Sequence, residues 1–177
     1  ALRKMAKSCI VFILGQESRP RRIFCGLPSG YRIIVSPAEN LGYLFGTAEP
    51  HLQRAIRQYV AAGDTVYDVG ANIGYVSLSL AKQVGSKGQV VAFEPVPRNV
   101  DLLRKNIESN HLPNIQVFDV AASDRSGEAV IRIPENLSTA SLIWHTRDAS
   151  AVELVIRTVA VDDLLETGRI AGPAFVK

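Results

Sequence analysis

Two carboxylates stand at the ends of short apolar runs, Asp68 in VYDVGANIG and Glu94 in QVVAFE. In open parallel sheets, strand ends of this kind face the ligand crevice. Asp68 can receive a cationic ammonium there, directly or through water. The residues after it, Gly70, Asn72 and Gly74, break the apolar run into a tight turn. Gly70 and Gly74 can take backbone angles closed to other residues and let a ligand come close. The apolar stretch that follows reads as a helix, whose unpaired N-terminal N–H groups suit a carboxylate or phosphate. Glu94 follows Gly70 by 24 positions, a spacing that fits an acidic residue accepting both hydroxyls of a ribose.

The ligand is therefore expected to carry a ribose. A dinucleotide fingerprint would read G-x-G-x-x-G. The corresponding positions here are Gly70, Asn72 and Tyr75. A pyrophosphate would also lie near Asp68, which is electrostatically unfavourable. A cofactor with an amino-acid end and an adenosine end fits better. S-adenosyl-L-methionine offers an ammonium for Asp68, a carboxylate for the turn and helix, and a ribose for Glu94. Two other readings stand beside a transferase: a non-catalytic nucleotide-binding module, and a nicotinamide-dependent oxidoreductase, against which Asn72 and Tyr75 count.

The elements that must position these groups follow from periodicity. Residues 22–35 read as two strands around a turn at 26–30, and 36–48 as loop. Glu49-Pro50 opens a helix, with Pro tolerated in its first turn and Gly63 ending it. Leu52, Ile56, Tyr59 and Val60 share one face of it. A rhythm of strand and helix then runs through 65–69, 75–84, 89–94, 97–110 and 115–121. It predicts βαβ units, and near-continuous apolar strands predict a sheet covered on both faces. Residues 128–134 and 152–161 read as strands outside that rhythm. A short helix is expected over 162–166 and a further strand opening over 173–177.

Composition sets outer limits. The chain has 177 residues, 47% hydrophobic and 21% charged, which suits one globular domain with a real core. A net charge of +3 is too small to argue for nucleic acid, and none is expected as a partner. Residues 1–60 carry nine Lys/Arg against three Asp/Glu, so the leading segment is basic and could meet a membrane surface or an anionic substrate. Cys9 and Cys25 lack metal or disulfide-scaffold spacing, and free thiols suggest a cytoplasmic setting. Three scattered histidines indicate no metal site. The apolar run 9–14 is shorter than a signal-peptide core of about 7–15 residues. It is far shorter than a membrane span of about 20 residues.

VYDVGANIG, AFEPVPRNVDLLRKNIESN and VFDVAASDRSGEA resemble the FkbM-type family of S-adenosylmethionine-dependent methyltransferases. The middle Asn of D-x-G-A-N-x-G, the E-P-x-P-x-N and the A-x-S-D-x-x-G carry the likeness, over roughly residues 42–133. The resemblance implies the Rossmann-like, doubly wound α/β sheet of class I methyltransferases, which the β-hairpin read above would precede. Residues 1–48 would form the basic segment and hairpin, and 49–177 the cofactor domain. The implied cofactor set is Asp68, Gly70, Ala71, Asn72, Gly74, Glu94, Pro95, Asp119 and Ala121, with 119–122 bordering the adenine. Glu49 reads either as a further hold on the methionine end or as a helix-start carboxylate favoured by the dipole. The implied reaction is O-methylation of a small-molecule or saccharide acceptor. A hydroxyl acceptor benefits from a general base. His51 and His145 are candidates that each read first as ordinary histidines, and His111 reads as a surface residue. No catalytic residue is assigned. The chain opens on Ala1 rather than Met, and the family continues past Phe175-Val176-Lys177 into further strands. The sequence is thus expected to be part of a longer protein.

Overall fold

The computed structural model describes residues 11, 12, 14, 15, 17–38, 40–134 and 151–177. His145, Cys9 and the basic residues Arg3, Lys4 and Lys7 lie outside them. The centre is a four-stranded parallel sheet in the order β5-β4-β3-β9. It is built from β3 (Thr65–Val69), β4 (Gln89–Phe93), β5 (Ile115–Phe118) and β9 (Phe175–Val176). The chain steps outward from β3 through β4 to β5, then returns to β3's other side at β9. Strand order therefore reverses at β3, and the crevice belongs at its C-terminal tip.

Both faces of the sheet are covered, as the continuous apolar strands predict. Val66, Val90 and Ala92 face a core shared with α3 (Tyr75–Val84) and Leu103 of α4 (Pro97–Ser109). Tyr67, Val91 and Phe93 face the other way, onto Leu164 of α5 (Val161–Glu166) and Ile170. Eight of the ten residues of α3 are buried, so it runs through the interior and not over the surface.

The leading hairpin pairs β1 (Arg19–Arg22) with β2 (Arg32–Val35). It begins earlier than the sequence suggests. Its first strand also stops at Arg22, because Phe24 N–H turns away to donate to Leu44 O. That carbonyl belongs to α1 (Leu41–Leu44), a short helix inside the stretch expected to be loop. The helix α2 (Pro50–Tyr59) ends four residues before Gly63, and Tyr59 is exposed and not on the buried face. Ile23, Ile33 and Val35 of the hairpin sit in the same core as Leu78, Val84 and Leu103.

The expected strand over 115–121 is corrected to two. β5 ends at Phe118, and β6 (Ala121–Ser123) leaves the parallel sheet to pair with β8 (Ala151–Ala160). Neither piece carries a charge or a helix breaker, so periodicity cannot show the change of partner. β8 also pairs antiparallel with β7 (Gly127–Pro134), completing a three-stranded sheet over a small core of Val96, Ile131 and Ile156.

Candidate functional site

The turn 70–74 docks onto the end of β4. Gly70 N–H and Ala71 N–H both donate to Phe93 O, at 2.9 and 3.0 Å. The turn needs left-handed backbone at Gly70 (φ +72) and Gly74 (φ +96), and Asn72 adopts it too at φ +52. The two glycines serve different ends. A Cβ on Gly70 would meet nothing within 4 Å, so the turn is open to ligand there. A Cβ on Gly74 would stand 2.6 Å from Leu103 Cδ1, so that glycine lets α4 pack against the start of α3.

Asp68 is completely buried. Ser77 Oγ donates to its Oδ2 at 2.5 Å. Its Oδ1 accepts no hydrogen bond among the described residues, yet Lys177 Nζ stands 3.3 Å away as a charge partner. The lysine instead donates to Val69 O (3.2 Å) and Gly70 O (3.1 Å). A cation is thus already seated at the tip of β3, held by two carbonyls and facing the carboxylate.

Glu94 lies just past β4, also buried. Its Oε1 accepts from Val96 N–H (3.0 Å) and Asn99 Nδ2 (3.2 Å), which fills both lone pairs. Its Oε2 accepts from Asn72 N–H at 2.8 Å, so the carboxylate braces the glycine turn. One acceptor position remains on Oε2, room for one hydroxyl and not the expected pair. Burial raises the Glu94 carboxyl above its ordinary 4.5, against the pull of those N–H donors.

Around these groups runs a cleft of about 350 Å³, the more polar of two, lined by Tyr43, Glu49, Gly70, Asn72, Glu94 and Lys177 among others. Val69 and Gly70 also line a second, apolar cleft of about 320 Å³ with Phe93, Pro95, Ala121 and Ala122. Each is at the lower end of the range for small-molecule sites, and they meet at the open side of Gly70. Of the sequence-predicted residues, Gly70, Ala71, Asn72 and Glu94 line the polar cleft, and Pro95 and Ala121 the apolar one. Asp68 reaches the polar cleft only through its contact with Lys177, and Gly74 lines neither cleft. Asp119 is not brought to either. It is half exposed, paired with Arg157 (3.1 Å) and Arg104 (4.0 Å), and lines a separate groove with Pro95 and Pro97.

Several residues here escaped sequence reasoning. Tyr43 stacks on Tyr75 with ring centroids 4.5 Å apart, forming one wall. Burial, then Tyr43, pushes the Tyr75 hydroxyl up to about 12, so it stays protonated near neutrality. Gln53, buried, accepts from Leu27 N–H, and the two N–H groups of its Nε2 are shared among that hydroxyl (3.0 Å), Gly46 O and Ala48 O. It fixes the wall to the hairpin loop. Ser77 had a signal, a hydroxyl between apolar Val76 and Leu78 that needs an internal partner. Lys177 had none, because only the sheet order places it beside Asp68. Among the described residues no group of His, Cys, Asp and Glu could hold a metal, and no helix is long and apolar enough to cross a membrane.

The family description "Methyltransferase FkbM domain" matches residues 68–177. A protein-L-isoaspartate O-methyltransferase of Caenorhabditis elegans is 30% identical over 93 residues, 50% of this chain and 41% of that protein. The AMB antimetabolite synthetase AmbE of Pseudomonas aeruginosa is 33% identical over 135 residues, 74% of this chain and 6% of that protein. The chain thus spans less than half the length of these relatives. Among solved structures, a SAM-dependent methyltransferase from Aquifex aeolicus matches at 26% identity with a TM-score of 0.37, covering 48% of this chain and 42% of its own.

Proposed function

This chain belongs to the FkbM methyltransferase family, and on that premise we propose that it binds S-adenosyl-L-methionine across the tips of β3 and β4 and methylates an oxygen of a small molecule or saccharide. The observation that carries the reading is the pair of buried carboxylates flanking one open glycine turn. Asp68 faces a seat already filled by an ammonium, and Glu94 keeps one acceptor position toward the same cleft. The residues present fit the cofactor. Oδ1 of Asp68 lacks a hydrogen bond among the described residues, and the space beside Gly70 is open where a side chain would stand.

When bound, the cofactor supplies a methyl group on a sulfonium, an already activated leaving group. The protein's share is then to hold donor and acceptor in line, which can supply roughly 7–11 kcal/mol. Asp68, with the carbonyls of Val69 and Gly70, holds the ammonium. Ala71, Asn72 and Gly74 shape the turn against the methionine end, and Glu94 takes one ribose hydroxyl on Oε2. Pro95, Ala121 and Ala122 offer the apolar cleft to the adenine. Tyr43 and Tyr75 close the wall beside Glu49 and keep water from the sulfonium side. An oxygen acceptor is supported by the sequence resemblance to the family.

Calorimetry on a full-length protein with S-adenosylhomocysteine and with NAD tests this, on wild type and Glu94→Ala. The expected result is S-adenosylhomocysteine binding that weakens in the variant, no NAD binding, and methyl release from labelled cofactor onto an acceptor. NAD binding without S-adenosylhomocysteine binding would overturn it. Binding without methyl release across hydroxyl acceptors would favour a non-catalytic module.

A further inference from the structure

Lys177 follows β9, whose Val176 pairs with Tyr67 of β3. Its backbone N–H donates to Tyr67 O and its carbonyl accepts from Val69 N–H, both at 3.0 Å. The side chain then folds over the tip of β3. The ammonium rests on Val69 O and Gly70 O and faces Asp68 Oδ1 at 3.3 Å. Asp68 is 0% exposed, and Lys177 is the one cation in ion-pair range of it among the described residues. An uncompensated buried carboxylate is strongly destabilising, so the lysine keeps the free protein intact. Its own side chain is 27% exposed, which gives it a way out to solvent.

Resting on the cofactor reading above, we infer that Lys177 is an internal surrogate for the ligand's α-ammonium and competes with it for one seat. In the free protein the lysine holds the seat. A ligand ammonium takes the same carboxylate and carbonyls, and two cations cannot share them, so the lysine is evicted. Asp68 is then never stranded, because one ammonium replaces another. A nucleoside without an amino-acid end offers nothing in exchange and leaves Lys177 in place. The residue thus keeps Asp68 paired in both states, at some expense in affinity for ligands that carry a cation at this end.

Lys177→Met tests the exchange, with calorimetry and thermal melts against S-adenosylhomocysteine and 5′-methylthioadenosine. The second ligand shares the nucleoside and lacks the amino acid. S-adenosylhomocysteine should bind the variant about tenfold more tightly than wild type, while 5′-methylthioadenosine changes by no more than about twofold. The free variant should melt lower, and saturating S-adenosylhomocysteine should raise its Tm by more than it raises the wild type's. Lys177→Arg, which keeps the charge, should match wild type in both. If Lys177→Met does not fold alone, rescue by S-adenosylhomocysteine and not by 5′-methylthioadenosine supports the exchange, and rescue by neither overturns it. Equal or weaker S-adenosylhomocysteine binding by a folded Lys177→Met also overturns it, while wild-type binding leaves the cofactor reading standing. Failure of wild type to bind S-adenosylhomocysteine removes both.

Discussion

Gly70→Ala and Gly74→Ala should separate binding from folding within one turn. Both positions have left-handed backbone, at φ +72 and +96. A side chain there costs roughly 1–2 kcal/mol in either variant. What differs is the space around the new methyl. At Gly74 it would stand 2.6 Å from Leu103 Cδ1, and Leu103 is fully buried, so the core must shift to admit it. Overpacking of that kind adds about 1–3 kcal/mol, so Gly74→Ala should lose about 2–5 kcal/mol in all. At Gly70 the methyl meets nothing within 4 Å, so the loss stops at the backbone strain. That same methyl enters the space where the two clefts meet. Gly70→Ala should therefore weaken S-adenosylhomocysteine at least about tenfold, or about 1.4 kcal/mol. Urea melts give the first comparison and calorimetry the second. Trimming Leu103 to Ala should relieve part of the Gly74→Ala loss, a non-additive coupling between touching groups. The reasoning is refuted if Gly70→Ala is as unstable as Gly74→Ala, or if it binds S-adenosylhomocysteine as wild type does.

Two further outcomes concern the groups that brace this turn. Burial raises the Glu94 carboxyl above 4.5, so between that value and its raised one the native protein holds a proton the unfolded chain has lost. Stability should fall as pH rises through that window, and Glu94→Gln should flatten the dependence in urea melts taken across it. A wild-type profile already flat there would contradict the assignment. Asn106, 0% exposed, accepts from Ile34 N–H and donates to Ile73 O, each at 2.7 Å, tying the hairpin to the residue after Asn72. Asn106→Ala leaves two backbone groups without partners and should cost about 2–4 kcal/mol in urea melts. It should also speed hydrogen exchange at Ile34, and unchanged exchange there would sink that account.

The apolar runs and their punctuation determined the βαβ core. Thr65–Val69 and Tyr75–Val84 stand where periodicity puts them, because burial on both faces demands unbroken apolar residues and the glycines permit one backbone between them. Asp68 and Glu94 were legible as strand-end carboxylates for the same reason. Tertiary structure decided who satisfies them. Nothing in the sequence says that Glu94 spends three acceptor positions on Asn72, Val96 and Asn99, or that Asp119 turns to Arg157 and Arg104 outside the clefts. The split of the third strand was likewise invisible, since Ala121–Ser123 has the same character whichever sheet it joins. Lys177 is the clearest case. Local pattern places a lysine after a strand, but only the return of β9 to the far side of β3 sets its charge against a carboxylate 109 positions earlier in the chain. Hydrophobic period is a local property that a sequence displays, whereas charge pairing and hydrogen-bond saturation depend on which strands become neighbours.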